Sequence, residues 1–142
     1  IVPFISLIQS VDSARLAECI NREAERIGRV VDILLEIHVA QEESKTGWAY
    51  HELETFLQSE EFKSLKNIRV CGIMGMATNT DDESIIRADF EQLAKHYNSL
   101  KPLFGEEFDT LSMGMSDDYA LAIECGSTMV RIGSSIFGER NY

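Results

Sequence analysis

Apolar positions along this chain follow two rhythms, and the rhythm switches at regular intervals. Residues 4–9 form an apolar run that reads as a strand. From residue 12 to residue 27 the period lengthens, so that Leu16, Ile20, Ala24 and Ile27 fall on one helical face. Residues 30–39 are β-branched and apolar without alternation, the pattern of a strand buried on both faces. A polar loop, AQEESKTG, occupies residues 40–47. Residues 48–59 read as a helix with Leu53, Phe56 and Leu57 inward, and residues 68–77 as a strand that contains Gly72 and Gly75. Residues 80–82 cap a long helix running to about residue 100, with Ile85, Ile86, Phe90, Leu93 and Tyr97 on its apolar side. A strand over residues 108–113 ends in the small residues Gly114 and Ser116. Ser116 stands where an N-cap belongs, Asp117 and Asp118 open a helix, and Gly126 follows it where a left-handed C-cap glycine belongs. Residues 128–132 form the last strand, closed by Gly133, Ser134 and Ser135.

The order is βα repeated, ending in a strand. Strands separated by helices run parallel, with right-handed crossovers. Five such strands fit either a doubly wound sheet or part of a barrel. No GxGxxG follows the first strand, which argues against a dinucleotide-binding sheet. No linker, low-complexity segment or short repeat interrupts the chain, so its 142 residues read as one domain with room for a core.

Charge narrows the partners. The net charge of −11 disfavours nucleic acid and anionic membranes, which select basic surfaces; its plain meaning is solubility. No apolar run approaches the ~20 residues of a membrane span, and no basic leader precedes an apolar core, so no signal peptide is expected. The first residue is Ile rather than Met, which puts the expected start upstream. Cys19, Cys71 and Cys125 are odd in number and far apart, with neither disulfide nor zinc spacing, and are expected as buried reduced thiols of a cytoplasmic protein. His38, His51 and His96 are scattered, which gives no metal cluster.

Two small-residue βα turns, after residue 113 and after residue 132, could surround a phosphate with backbone N–H groups; the bland account is ordinary turn chemistry. In the last strand Met129, Arg131 and Gly133 share one face and Val130 and Ile132 the other. The aliphatic pair suits packing on helices, so Arg131 is expected on the opposite, lumenal face. A guanidinium there needs a partner. That partner is either a carboxylate such as Glu36 or a bound anion or cofactor ring. In the EESKTG stretch, Glu42 and Glu43 suggest a solvated loop, and Met74 and Met76 suggest core filling.

The segments LSMGMSDD and GSTMVRIGSSIFGERNY at the end of the chain resemble the C-terminal signature of the YggS/PROSC family of pyridoxal phosphate homeostasis proteins. LIQSVDS, EESKTG and GIMGMAT follow the same family's order, so the resemblance covers essentially the whole chain. It implies a (β/α)8 TIM-type barrel like the alanine racemase N-terminal domain. This chain would supply the fourth to eighth strands, and residues 1–142 the C-terminal portion of a single barrel domain. It implies pyridoxal 5′-phosphate as cofactor. Ser112 would give a hydroxyl to the phosphate, Met113 and Gly114 backbone, and Gly133 and Ser134 the second loop, with Arg131 close to the pyridine ring. An arginine there favours an unprotonated ring nitrogen and weakens the electron sink, which suits a non-catalytic carrier or a racemase-like site. The rival readings are a racemase- or decarboxylase-like enzyme of the same fold and a fragment with an inactive site. The family's first three strands, with the Schiff-base lysine, have no counterpart in the sequence. Lys63, Lys66, Lys95 and Lys101 fall away from the strand ends, and Lys45 lies on the right side but in an acidic loop. Two unpaired edges, residues 4–9 and 128–132, are therefore expected to pair with the missing barrel segment in cis or with another chain.

Overall fold

The computed structural model describes residues 7–43 and 46–131. Lys45, Gly133 and Ser134 lie outside them, as do residues 4–6 of the first expected strand. Five parallel strands form one sheet in the order β1-β2-β3-β4-β5: β1 Leu7–Val11, β2 Val31–Glu36, β3 Ile68–Gly75, β4 Thr110–Met115 and β5 Met129–Arg131. The helices are α1 Ala14–Arg26, α2 Tyr50–Leu57, α3 Glu60–Lys63, α4 Glu83–Phe104 and α5 Tyr119–Glu124. Each strand pairs with the next in sequence, without the reversal that a doubly wound sheet shows.

The two faces of the sheet carry different chemistry. One carries the main core, where Val31, Ile33, Leu35, Val70, Ile73, Leu111 and Met113 meet Ala17, Ile20, Leu53, Phe90 and Leu93 from the helices. The other carries Leu34, Cys71 and Met74 with Leu7 against them, all from strands. On this second face Ser112 Oγ in β4 donates to Gln9 Oε1 in β1 at 2.9 Å. In a flat sheet strands β1 and β4 would stand about 14 Å apart, three spacings of roughly 4.8 Å, beyond the joint reach of the two side chains. The sheet is therefore curled into a trough, and its strand-only face is the lumen.

Local differences from the sequence reading have physical causes. Trp48 does not begin a helix: it bridges Ile37, and its indole N–H donates to Val11 O at 3.2 Å, so α2 starts at Tyr50. Ser59 caps the unforeseen α3 by accepting from Phe62 N at 3.1 Å. Pro102 lies inside α4, which runs past residue 100 to Phe104. Pro102 removes one N–H from the helix ladder, and Phe104 stacks on Phe108 at 5.1 Å just beyond it. Ser116 is not the N-cap of α5. That position belongs to Asp118, whose Oδ1 accepts from Met115 N at 2.7 Å and closes the turn ahead of the helix. At the other end Gly126 N donates to Ile123 O and Ser127 N to Ala122 O, the paired bonds of a glycine-terminated helix. Of the cysteines only Cys71 is buried; Cys19 is exposed and Cys125 half-buried, all as free thiols.

Candidate functional site

In βα folds of this kind ligands gather at the carboxyl ends of the strands. At that end the lumen holds Arg131 from β5, Ser112 from β4 and Glu36 from β2. Alternation along β5 puts Arg131 on the lumenal face, where its Nη1 donates to Ser112 Oγ at 3.0 Å. Ser112 is fully buried. Glu36, 3% exposed, does not form an ion pair with Arg131; its Oε2 accepts from Thr46 Oγ1 at 2.7 Å instead. Burial pushes the Arg131 guanidinium below its ordinary pKa, and the charges of Glu36 and Asp118 act in the opposite direction. The other guanidinium nitrogen, Nη2, is buried and has no hydrogen-bond partner among the described residues. His38 follows Glu36 on the same side of the chain, and its Nδ1 is likewise buried and unpartnered among the described residues.

Met113 and Gly114, expected to offer backbone to a phosphate, also have packing duties. Met113 turns its side chain to the helix-side core, and Ser127 Oγ donates to its carbonyl at 2.8 Å. Gly114 has φ +103°, and a Cβ there would stand 2.6 Å from Ala122 Cβ and 3.2 Å from Val130 Cγ1. Close packing of α5 and β5 is sufficient reason for that glycine. Gln9 joins the cluster without having been singled out. An amide inside an apolar strand was the only signal for it.

Beside this cluster an open cleft of ≈ 930 Å³ runs between the loops after β3 and β4. Glu42, Asp81, Glu83, Asp117 and Asp118 contribute carboxylates to its lining, and among the described residues no lysine or arginine does. Its field repels a phosphate dianion, and among the described residues Arg131 is the cation that reaches this end of the lumen. Glu42 is less solvated than the loop composition suggested, because its Oε2 accepts from Asn79 N at 2.8 Å. Met76 lines the cleft, whereas Met74 fills the lumen. Lys101 Nζ donates to Phe108 O, ahead of β4 and at the opposite end of the sheet, and Lys95 is exposed on α4. Among the described residues no group of three or more His, Cys, Asp and Glu side chains is placed to hold a metal, and no helix is long and apolar enough to cross a membrane.

The family described as "Alanine racemase, N-terminal domain" matches residues 4–141. The chain is 35% identical over 136 residues to the pyridoxal phosphate homeostasis protein of Pasteurella multocida, covering 95% of this chain and 58% of the relative. It is 39% identical over 135 residues to the protein of that name from Helicobacter pylori J99, again 58% of the relative's length. The chain thus spans less than three fifths of these relatives. Among solved structures, PipY of Synechococcus elongatus with pyridoxal phosphate bound superposes with a TM-score of 0.83 at 30% identity, over 96% of this chain and 63% of PipY. Alanine racemase of Clostridium difficile 630 matches at 0.67 with 15% identity, covering 95% of this chain and 34% of the racemase, a likeness of fold alone.

Proposed function

The chain belongs to the alanine racemase N-terminal domain family, and from that we infer that it forms the C-terminal portion of a (β/α)8 barrel that binds pyridoxal 5′-phosphate as a cytoplasmic, non-catalytic carrier in cofactor homeostasis. The relatives that bear that name and the cofactor-bound PipY structure support the reading. The observation that carries it is Arg131: a half-buried guanidinium at the carboxyl end of the lumen, with one nitrogen anchored and the other buried without a partner among the described residues. Such a donor is costly unless a ligand acceptor meets it. A pyridine nitrogen that stays unprotonated is an acceptor of the right kind. When bound, the cofactor supplies an electrophilic aldehyde and a ring that can hold electron density. An arginine beside the ring nitrogen leaves that capacity weak, as a carrier requires.

Ser112, Met113 and Gly114 from β4, with Arg131, Gly133 and Ser134 from the end of the chain, are proposed to make the cofactor site. Among the described residues β1 pairs only with β2, and β5 only with β4. Polypeptide beyond residues 1–142, in cis or from another chain, is proposed to pair with both edges and to bring the lysine that holds the cofactor covalently. The test compares two ligands on one variant. Arg131→Ala should weaken pyridoxal phosphate binding on the order of tenfold or more, the worth of a charged hydrogen bond, and leave inorganic phosphate binding nearly unchanged. Equal losses for both ligands would move Arg131 from the ring to the phosphate. No binding of pyridoxal phosphate by the wild-type protein would end the cofactor reading.

A further inference from the structure

We propose that Gln9 is a positioning residue for Arg131, acting through Ser112, and that Ser112 serves the arginine rather than a phosphate group.

A serine hydroxyl has one proton and two lone pairs. A guanidinium nitrogen donates only, so in the 3.0 Å contact with Arg131 Nη1 the Ser112 oxygen is the acceptor. An amide oxygen accepts only, so in the 2.9 Å contact with Gln9 Oε1 the Ser112 proton is the one donated. Ser112 is fully buried, and water does not offer it an alternative. Its single proton is therefore committed to Gln9. A phosphate dianion, which accepts only, would have to take that proton from Gln9. The same commitment turns a Ser112 lone pair toward Arg131, fixes Nη1, and through the rigid guanidinium plane fixes where Nη2 points. Nη2 is the nitrogen left buried and unpartnered among the described residues. The chain Gln9–Ser112–Arg131 runs from β1 to β5 across the lumen, so the aim of Arg131 depends on a strand 103 residues before Ser112.

The positioning itself stands on this geometry. Its consequence for binding rests on the proposed cofactor site, and the experiment separates the two. The first readout needs no ligand: solvent exchange of the Arg131 Nε–H resonance in ¹⁵N-labelled protein. Gln9→Met keeps the side chain's length and removes its acceptor; Gln9→Glu keeps an acceptor. Exchange at Arg131 should rise on the order of tenfold in Gln9→Met, the loss of one hydrogen bond in a coupled chain, and return towards the wild-type rate in Gln9→Glu. Unchanged exchange in Gln9→Met, with the fold intact by circular dichroism, overturns the positioning role. The second readout is binding of pyridoxal phosphate and of inorganic phosphate. Gln9→Met and Ser112→Ala should each weaken pyridoxal phosphate by a similar factor, on the order of tenfold, the double variant no more than either single one, and neither should weaken inorganic phosphate. If Ser112→Ala weakens both ligands equally and Gln9→Met weakens neither, Ser112 is a phosphate donor and the proposal is wrong. If exchange responds as expected but the wild-type protein binds no pyridoxal phosphate, the positioning role stands and the cofactor reading falls.

Discussion

Replacing Gly114 by alanine separates two explanations of the same residue. A glycine kept for close approach of a phosphate could be replaced at no cost to the free protein. The structure gives it another duty. Its φ is +103°, and a Cβ would stand 2.6 Å from Ala122 Cβ, 3.2 Å from Val130 Cγ1 and 3.3 Å from Tyr119 Cα. Carbon atoms rest at about 3.5–4.0 Å, so α5 must shift by about an ångström or the strand must bend. Overpacking of this kind costs about 1–3 kcal/mol, and holding a non-glycine residue at this φ about 1–3 kcal/mol more. We expect Gly114→Ala to lose about 3 kcal/mol, which at about 3 °C per kcal/mol for a domain of this size lowers the melting temperature by roughly 10 °C. The assay is thermal unfolding followed by circular dichroism in phosphate-free buffer. Ala122→Gly removes the nearest atom, so in a double-mutant cycle it should recover about 1–2 kcal/mol of the loss, after allowance for its own helix-propensity cost of about 1 kcal/mol. A melting temperature for Gly114→Ala within about 2 °C of wild type, or a cycle with no coupling, would refute the packing account and return Gly114 to the ligand.

His96 stacks on Tyr50 at 3.9 Å between α4 and α2, and burial first, then Lys95, depresses its pKa below 6.5, with Glu54 opposing. The unfolded chain therefore binds the extra proton more readily, so stability should be complete above pH 6.5 and decline as the pH falls below it; melting temperature against pH should show the decline in wild type and lose part of it in His96→Phe, and an unchanged slope would sink the assignment. Asp89, 6% exposed, accepts from Thr78 N at 2.7 Å and Thr78 Oγ1 at 2.6 Å. Asp89→Ala orphans both donors and should cost about 3 kcal/mol in urea unfolding, with the m-value unchanged; a loss below about 0.5 kcal/mol would mean that water replaces the carboxylate.

The strands were legible because burial on both faces leaves an unambiguous apolar signature: Ile33, Leu34 and Leu35 are all fully buried, on alternating sides. The inward residues of α2 and α4 were legible for a similar reason, since Leu53, Phe56, Phe90 and Leu93 recur at helical spacing. The lumenal orientation of Arg131 also followed from alternation with Val130. Its neighbour did not. Glu36 was the natural candidate by charge, yet Ser112 holds the guanidinium, because which lumenal residues meet depends on register and curl rather than on local pattern. Polar residues on apolar faces were missed for the same reason. Asn21 is buried on α1 because its Oδ1 accepts from Asn67 N at 2.7 Å, 46 residues away. Trp48 left its expected helix for a hydrogen bond to β1. The family likeness was legible in the terminal motifs, whereas Gly133 and Ser134 lie outside the described residues and their part in the site remains a proposal.

The unbroken strand order bears on how the chain assembles. Every register partner lies a few tens of residues back: Leu7 with Asp32, Val31 with Ile68, Gly72 with Thr110, Ser112 with Met129. A chain emerging from the ribosome can add one βα unit at a time to a sheet already present, with only a short loop to close at each step. The contact from Gln9 to Ser112 is different, because it spans 103 residues and requires the curl to be complete. It belongs to the last stage of folding, and so does the setting of Arg131. The lumenal arginine is thus a late product of assembly, and any ligand that engaged it would act on the final closing of the trough rather than on the growth of the sheet.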